Sequence, residues 1–150
     1  MYLTIITSGK HHWNALVPEL SCIGTAPTRD HLIHQTREAI ALALEDQPEH
    51  RPRLRGRDDL GADLLADLDG REELLFLPPA EMNPVSLEIE QALAAAGITQ
   101  AELARRLGTS RSAVSRLVNP FYWGHSLDML RRVARALEAE LEVRLTAKAS

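Results

Sequence analysis

The chain has 150 residues, 45% of them hydrophobic and 25% charged, with a net charge of −4. That suits one medium globular domain or two small ones, and the lone cysteine, Cys22, excludes an internal disulfide and fits a reducing compartment. No apolar run approaches the ~20 residues that cross a bilayer, and the N-terminus lacks a basic flank ahead of a hydrophobic stretch, so the expected place of work is the cytoplasm, away from membrane.

Residues 1–80 hold 8 Lys/Arg against 13 Asp/Glu, whereas residues 81–150 hold 9 against 8. Such a split favours two domains, an acidic one followed by a near-neutral one. Tyr2 to Thr7 and Trp13 to Val17 alternate and are rich in β-branched residues, and the polar bend Ser8-Gly9-Lys10-His11 between them predicts a hairpin. Pro18 to Ser21 breaks the pattern. Cys22-Ile23 begins a third short strand that Ala26-Pro27 ends, and Thr28 caps a helix. Its Leu32, Ile33, Thr36, Ile40, Ala43 and Leu44 recur at three and four, a stripe that would cover one sheet face.

Asp46 to Arg57 reads as a loop with Arg51, Arg53, Arg55 and Arg57 in alternation. Such a run could follow a phosphate backbone, but Asp58, Asp59, Asp63 and Asp67 come directly after it. The reading adopted is a solvated excursion with local ion pairs. Leu60, Leu64, Leu65 and Leu68 suggest a short helix stopped by Gly70, and Glu73 to Leu77 a last strand. Pro78-Pro79, with Asn83-Pro84 behind it, marks the boundary between a domain over residues 1–77, a linker over 78–85 and a second domain over 86–150.

Tyr2 to Leu44 resembles the antitoxin domain of the HicB family. The likeness lies in the strand ending at Val17-Pro18, the turn Glu19-Leu20-Ser21-Cys22, Thr28 as cap and Arg37-Glu38-Ala39-Ile40 in the helix. Ser21 stands where the family usually has Gly, and Ala26-Pro27 where it has Gly-Asp before the capping Thr. The resemblance implies an N-terminal β-β-β-α-β unit, shaped like part of RNase H without its carboxylate cluster. It also implies a HicA-like, messenger-RNA-cleaving toxin as protein partner.

In the second half, Leu87, Ile89, Ala92 and Leu93 form the packing stripe of a helix ending at Gly97. Thr99 and Glu102 then make a capping box, each side chain satisfying an orphaned backbone N–H at the start of the next helix. That helix carries Leu103, Ala104 and Leu107 on one stripe and stops at Gly108. A further helix begins at once from Ser110 as cap. Ala113, Val114, Leu117 and Val118 fill one arc of it, and Arg111, Ser112, Ser115 and Arg116 the other. Two Arg, two Ser and no acid make a face suited to DNA, because short hydroxyls admit the backbone close to a duplex and Arg pairs with guanine or clamps phosphate. Between Thr99 and Arg135 stand 7 Arg and 2 acids.

Gln100 to Leu117 resembles the helix-turn-helix of the lambda repressor/Cro (XRE-like) type in its Gln-x-x-Leu-Ala core, its Leu-Gly turn and its Ser-x-x-x-Val-Ser recognition helix. The resemblance implies that Gln100 braces a phosphate and that Arg111, Ser112 and Ser115 read base edges; Arg116, on the same face, is assigned to phosphate or a flanking base. Ser110 and Asn119, at the two ends of the helix, complete the candidate DNA-contacting set. Some HicB proteins carry this type of domain behind the first.

Phe121-Tyr122-Trp123 either forms a contact surface or tucks against the domain's own core. Ser126 caps a last helix with Leu127, Leu130, Ala134 and Leu137 inward and Arg131, Arg132 and Arg135 outward. Glu140 to Thr146 then alternates as a lone strand, whose simplest partner is its equivalent in a second chain. The fold class is therefore α+β, a HicB-like domain followed by an all-α DNA-binding domain with a terminal strand.

His31 and His34 on a helix, with His11 and His12, lack a matched ligand set at zinc spacing. Cys22 has no neighbouring base, and no glycine loop for phosphate is present. The expectations are no metal, no cofactor and no catalytic residue. The two resemblances together imply the antitoxin of a HicAB-type pair that represses its own operon as a homodimer or higher oligomer on double-stranded operator DNA. A stand-alone repressor is the alternative, its first domain serving oligomerisation or ligand sensing. A nuclease, suggested by the RNase H relationship, is not expected.

Overall fold

The computed structural model describes residues 1–149, and the chain divides into two compact units, Met1–Glu81 and Met82–Ser150. In the first, β1 (Tyr2–Ser8), β2 (Trp13–Val17), β3 (Cys22–Ala26) and β4 (Glu73–Leu77) form one sheet in the order β3-β2-β1-β4. Every neighbouring pair is antiparallel; Ile5 lies opposite Leu16 on one side and Leu74 on the other. A three-residue 3₁₀ turn, Pro18–Leu20, joins β2 to β3 and leaves Ser21 in the left-handed region at φ 53°.

Helix α1 (Arg29–Asp46) starts where Thr28 Oγ1 accepts the His31 N–H at 3.2 Å. Its buried Leu32, Thr36 and Ile40 pack on the face formed by Tyr2, Ile6, Ala15, Val17 and Ala26. Because strand side chains alternate, Leu3 and Ile5 point the other way, and Leu60 is buried against them with Leu54, Leu64, Leu65 and Leu68 packed around it. Helix α2 (Ala62–Asp67) carries the middle of that group. Both sheet faces are thus covered, one by a long helix and one by the 54–68 segment.

Residues 47–56 form a loop, and Arg51, Arg53, Arg55 and Arg57 are all exposed, as the solvated excursion expected; what needs correction is the partners. Leu54 is an anchor under the sheet, and the following aspartates do not answer the arginines. Arg57 pairs with Glu72 at 3.6 Å, and Asp59 accepts the backbone N–H of Arg55 at 2.6 Å. An ionic side chain four residues away in an extended segment is rarely within reach, whereas a turn brings it onto the backbone. Past β4 the chain stays tied to α1, since Ala80 N donates to Arg37 O at 2.8 Å and Arg37 Nε to Pro78 O at 3.3 Å.

The second unit holds α3 (Pro84–Ala96), α4 (Gln100–Leu107), α5 (Arg111–Leu117) and α6 (Leu127–Ala136). Asn83, Thr99, Ser110 and Ser126 cap them in turn, each side-chain oxygen accepting a first-turn N–H. The core is Ile89, Leu93, Leu103, Ala104, Leu107, Val114, Leu117, Val133 and Leu137. Three readings need correction. Leu87 and Leu127 are 49% and 57% exposed, and the inward positions of their helices belong to buried Ser86 and Val133; apolarity alone misplaced the stripe by a fraction of a turn. Residues 140–149 form no strand, because a ladder needs a second row of backbone groups and the described chain offers none there. The aromatic run divides between the two expectations, with Tyr122 packed against the core and Trp123 54% exposed.

Among the described residues no helix is long and apolar enough to cross a membrane.

Candidate nucleic-acid interface

The turn between α4 and α5 is fixed by the backbone. Gly108 sits at φ 66°, its N–H bonding Arg105 O at 3.2 Å while Thr109 N–H bonds Ala104 O at 3.0 Å. This closes α4 in the left-handed manner that glycine tolerates at little cost. One residue later Ser110 Oγ accepts the Ala113 N–H at 3.1 Å and starts α5. Val114 and Leu117 anchor α5 to the core, Val114 with no exposure at all. Anchoring through those two positions turns the remaining faces outward.

Arg111, Ser112, Ser115, Arg116 and Asn119 are all exposed. Their spacing of one, three, one and three places them in one continuous helical stripe. Among the described residues neither arginine is in an ion pair. Arg116 leans over the Tyr122 ring, its guanidinium carbon 6.0 Å from the centroid, which holds it at one end of the stripe through a cation–π contact. Arg111, at the other end, has no such tether. Ser110 accepts with one lone pair and keeps its hydroxyl proton for an outside acceptor. Asn119 Oδ1 accepts the Phe121 N–H at 2.9 Å, which leaves its amide nitrogen as the outward donor. Gln100, first residue of α4, is half-buried; among the described residues its side chain makes no hydrogen bond. The seven candidate residues thus fall on the outer face of α5, its two ends, and the start of α4.

Electrostatics reinforce the face in a way that counting charges misses. Glu102, the acid that precedes the stripe, accepts from Arg105 Nε at 2.9 Å and Arg106 Nε at 3.1 Å. Those contacts, Arg105's first, hold its carboxyl below the ordinary carboxylate range, and Glu102 in return raises Arg105. Only half of the expected capping box therefore forms. Thr99 Oγ1 accepts the Glu102 N–H at 3.1 Å, while the carboxylate turns to two guanidiniums, which are stronger partners than a neutral backbone N–H. Arg106 and Arg132 are further spent on backbone carbonyls, at Ala136 O and Leu107 O, 2.7 and 2.8 Å away.

A polar cluster holds the far end of α5, and sequence reasoning did not single it out. Asn83 N donates to Pro120 O at 2.6 Å, Asn83 Nδ2 to Tyr122 O at 3.0 Å, and Ser86 Oγ to Asn119 O at 2.8 Å. Asn83 Oδ1 caps Val85, so its amide nitrogen is the atom 3.2 Å from His125 Nδ1. That nitrogen can only donate, which makes Nδ1 the acceptor and puts the imidazole proton on Nε2. From there it is donated to Leu117 O at 2.7 Å. Gly124 is required beside it, since a Cβ would collide with the Tyr122 hydroxyl. The only sequence signal was a polar pair, Asn83 and Ser86, flanking a helix start.

Elsewhere, His31 and His34 stay exposed on α1, His34 lying 3.2 Å from Glu38, and burial raises the Cys22 thiol above its usual range. Among the described residues no cluster of three or more His, Cys, Asp or Glu could hold a metal ion.

Residues 89–120 match the helix-turn-helix family. The match runs from the middle of α3 through α4, the Gly108 turn and all of α5, and marks the second unit as the kind used by sequence-specific DNA-binding transcription regulators. No curated protein matches the chain significantly.

Proposed function

We propose that the chain is the antitoxin of a HicAB-type toxin–antitoxin pair, acting by binding alone and without a reaction of its own. The second unit represses the operon by sequence-specific binding as a homodimer, α5 entering the major groove with Arg111, Ser112 and Ser115 toward base edges. Gln100, Ser110, Arg116 and Asn119 engage the phosphates around them. The first unit neutralises a small cationic, messenger-RNA-cleaving toxin in the cytoplasm. The observation that carries the reading is the pairing of an acid-free, core-anchored recognition face with a separate unit of β-β-β-α-α-β order, α2 being a short addition to β-β-β-α-β, and net negative charge. Ser21 at φ 53° adds support, since it adopts the left-handed conformation for which the HicB glycine at that place is suited. The excess of acid over base in residues 1–80 suits a basic partner.

The test uses the full chain, co-expressed with the small basic protein encoded beside it. Growth should be rescued from that protein and the two should co-purify. Arg111→Ala should keep the rescue while derepressing a reporter behind the operon's own promoter. Loss of both properties together would refute the division of labour. Repression without any toxic neighbour would leave a stand-alone repressor.

A further inference from the structure

The residues after α6 alternate without a break: Ala139, Leu141, Val143, Leu145 and Ala147 are apolar, and Glu140, Glu142, Arg144, Thr146 and Lys148 are polar. In the described chain this segment pairs with nothing. Val143 is 62% exposed and Leu145 97% exposed, which is costly for two branched apolar side chains that a strand would place on one face. Leu141 and Val143 already form one wall of a groove of about 540 Å³ whose other walls are Ile89 and Ala92 of α3, Leu130 of α6 and Leu137 at the end of α6. We infer that this segment is the dimer interface, joining a second copy as an antiparallel two-stranded ribbon centred on Val143, with its apolar face laid over the α3–α6 groove of both copies. The inference deepens the homodimer proposed above and rests on it.

The register follows from the sequence's own complementarity. Pairing about Val143 sets Leu141 opposite Leu145 and Glu142 opposite Arg144, each twice by symmetry. Within one chain Glu142 and Arg144 already meet at 2.7 Å on the polar side, so the same two charges can form a four-membered lattice across the ribbon. Centring on Leu141 would place Glu140 opposite Glu142. Centring on Leu145 would leave Leu141 opposite Ala149. A shift by one residue would oppose apolar to charged side chains throughout, and a parallel pair would align like charges with like. A two-stranded ribbon by itself is marginal in water. The groove makes the difference, since it buries one face of the ribbon on two helices.

In a Cys22→Ser background, Val143→Cys should form a disulfide-linked dimer on mild oxidation, because residues directly opposed in an antiparallel pair lie within disulfide reach. Glu142→Cys alone should link poorly, and an equimolar mixture of Glu142→Cys and Arg144→Cys chains should link efficiently. In sedimentation without DNA, Glu142→Lys and Arg144→Glu should each weaken association about tenfold, through like charges at two symmetric positions. The double charge swap should restore it. The side chains substituted at 142–144 are exposed, so circular dichroism of the monomer should match that of the Cys22→Ser or parent background. Association indifferent to Val143→Asp, or cross-linking that does not follow the register, would overturn the interface. Weak, salt-dependent binding of a half-site by the Val143→Asp monomer would show that the DNA reading stands even where the dimer is lost.

Discussion

Replacing Ser86 by Ala tests whether the polar cluster under α5 holds the recognition helix in place. Ser86 is fully buried, and its hydroxyl donates to Asn119 O at 2.8 Å and lies 3.5 Å from His125 Nε2. Alanine fits the space but removes one of the two donors to the Asn119 carbonyl, which keeps the Tyr122 N–H at 3.1 Å. A lost hydrogen bond whose acceptor stays satisfied costs about 0.5–1.5 kcal/mol. For a domain of this size each kcal/mol moves the melting midpoint by about 4–8 °C, so thermal unfolding of the second unit should fall by about 2–12 °C. His125→Ala removes the donor to Leu117 O, 2.7 Å away, and should cost a similar amount. Because the two side chains share one end of α5, the double variant should lose less than the sum, with a coupling of about 0.5 kcal/mol or more. A shift under about 1 °C for Ser86→Ala, or strictly additive losses, would show that solvent already satisfies these carbonyls and that the cluster does not position the helix.

Arg111→Ala should cost about 1–3 kcal/mol on the operator and far less on random duplex, whereas Gln100→Ala should weaken both alike; equal losses for Arg111 in fluorescence anisotropy would remove it from base reading. Ser21→Gly should stabilise the first unit by about 0.5–1 kcal/mol in urea unfolding, since relief of a left-handed residue is worth about 1–2 kcal/mol and the extra freedom of unfolded glycine returns about half of that. Glu73 accepts from Arg29 Nε at 2.8 Å, which holds its carboxyl below the ordinary range. Its folded value being depressed, the bridge contributes above the unfolded carboxylate range and is lost as pH falls through the folded value. Glu73→Gln should accordingly be slightly less stable than the parent at neutral pH, and the gap should close on acidification. A gap that persists in acid would assign the effect to packing.

The elements of both units were legible because their periods are clean. Glu73 to Leu77 is a strand with the expected bounds, and Thr28, Ser110 and Ser126 cap the helices they precede. Facing directions were less legible. Leu87 and Leu127 are as apolar as Ile89 and Leu130, and which of them turns inward depends on where the neighbouring helix lies, a property no single helix encodes. Ser86 shows the reverse case, a small polar residue taken into the core, where its hydroxyl gives the Asn119 carbonyl a second donor beside the Tyr122 N–H. The segment 139–148 carries a strand's pattern with no strand formed, since alternation specifies a face and only a partner supplies the ladder.

Charge was the least legible property of the site, and there the structure changes the argument most. Read along the chain, the region from Thr99 to Arg135 is a uniform excess of arginine. In the fold it divides by what each guanidinium touches. Arg105 and Arg106 neutralise Glu102, Arg132 closes the end of α4 on Leu107 O, and Arg116 leans on Tyr122. Arg111 alone combines exposure, a place on the α5 stripe and freedom from any ion pair or aromatic contact among the described residues. A helix that only needed positive charge could have drawn it from any of these. Four of the seven are engaged in structure, and of the remaining Arg111, Arg131 and Arg135 only Arg111 lies on α5, which concentrates recognition where a bidentate contact can discriminate bases, while nearby phosphates can be met by side chains already held in place.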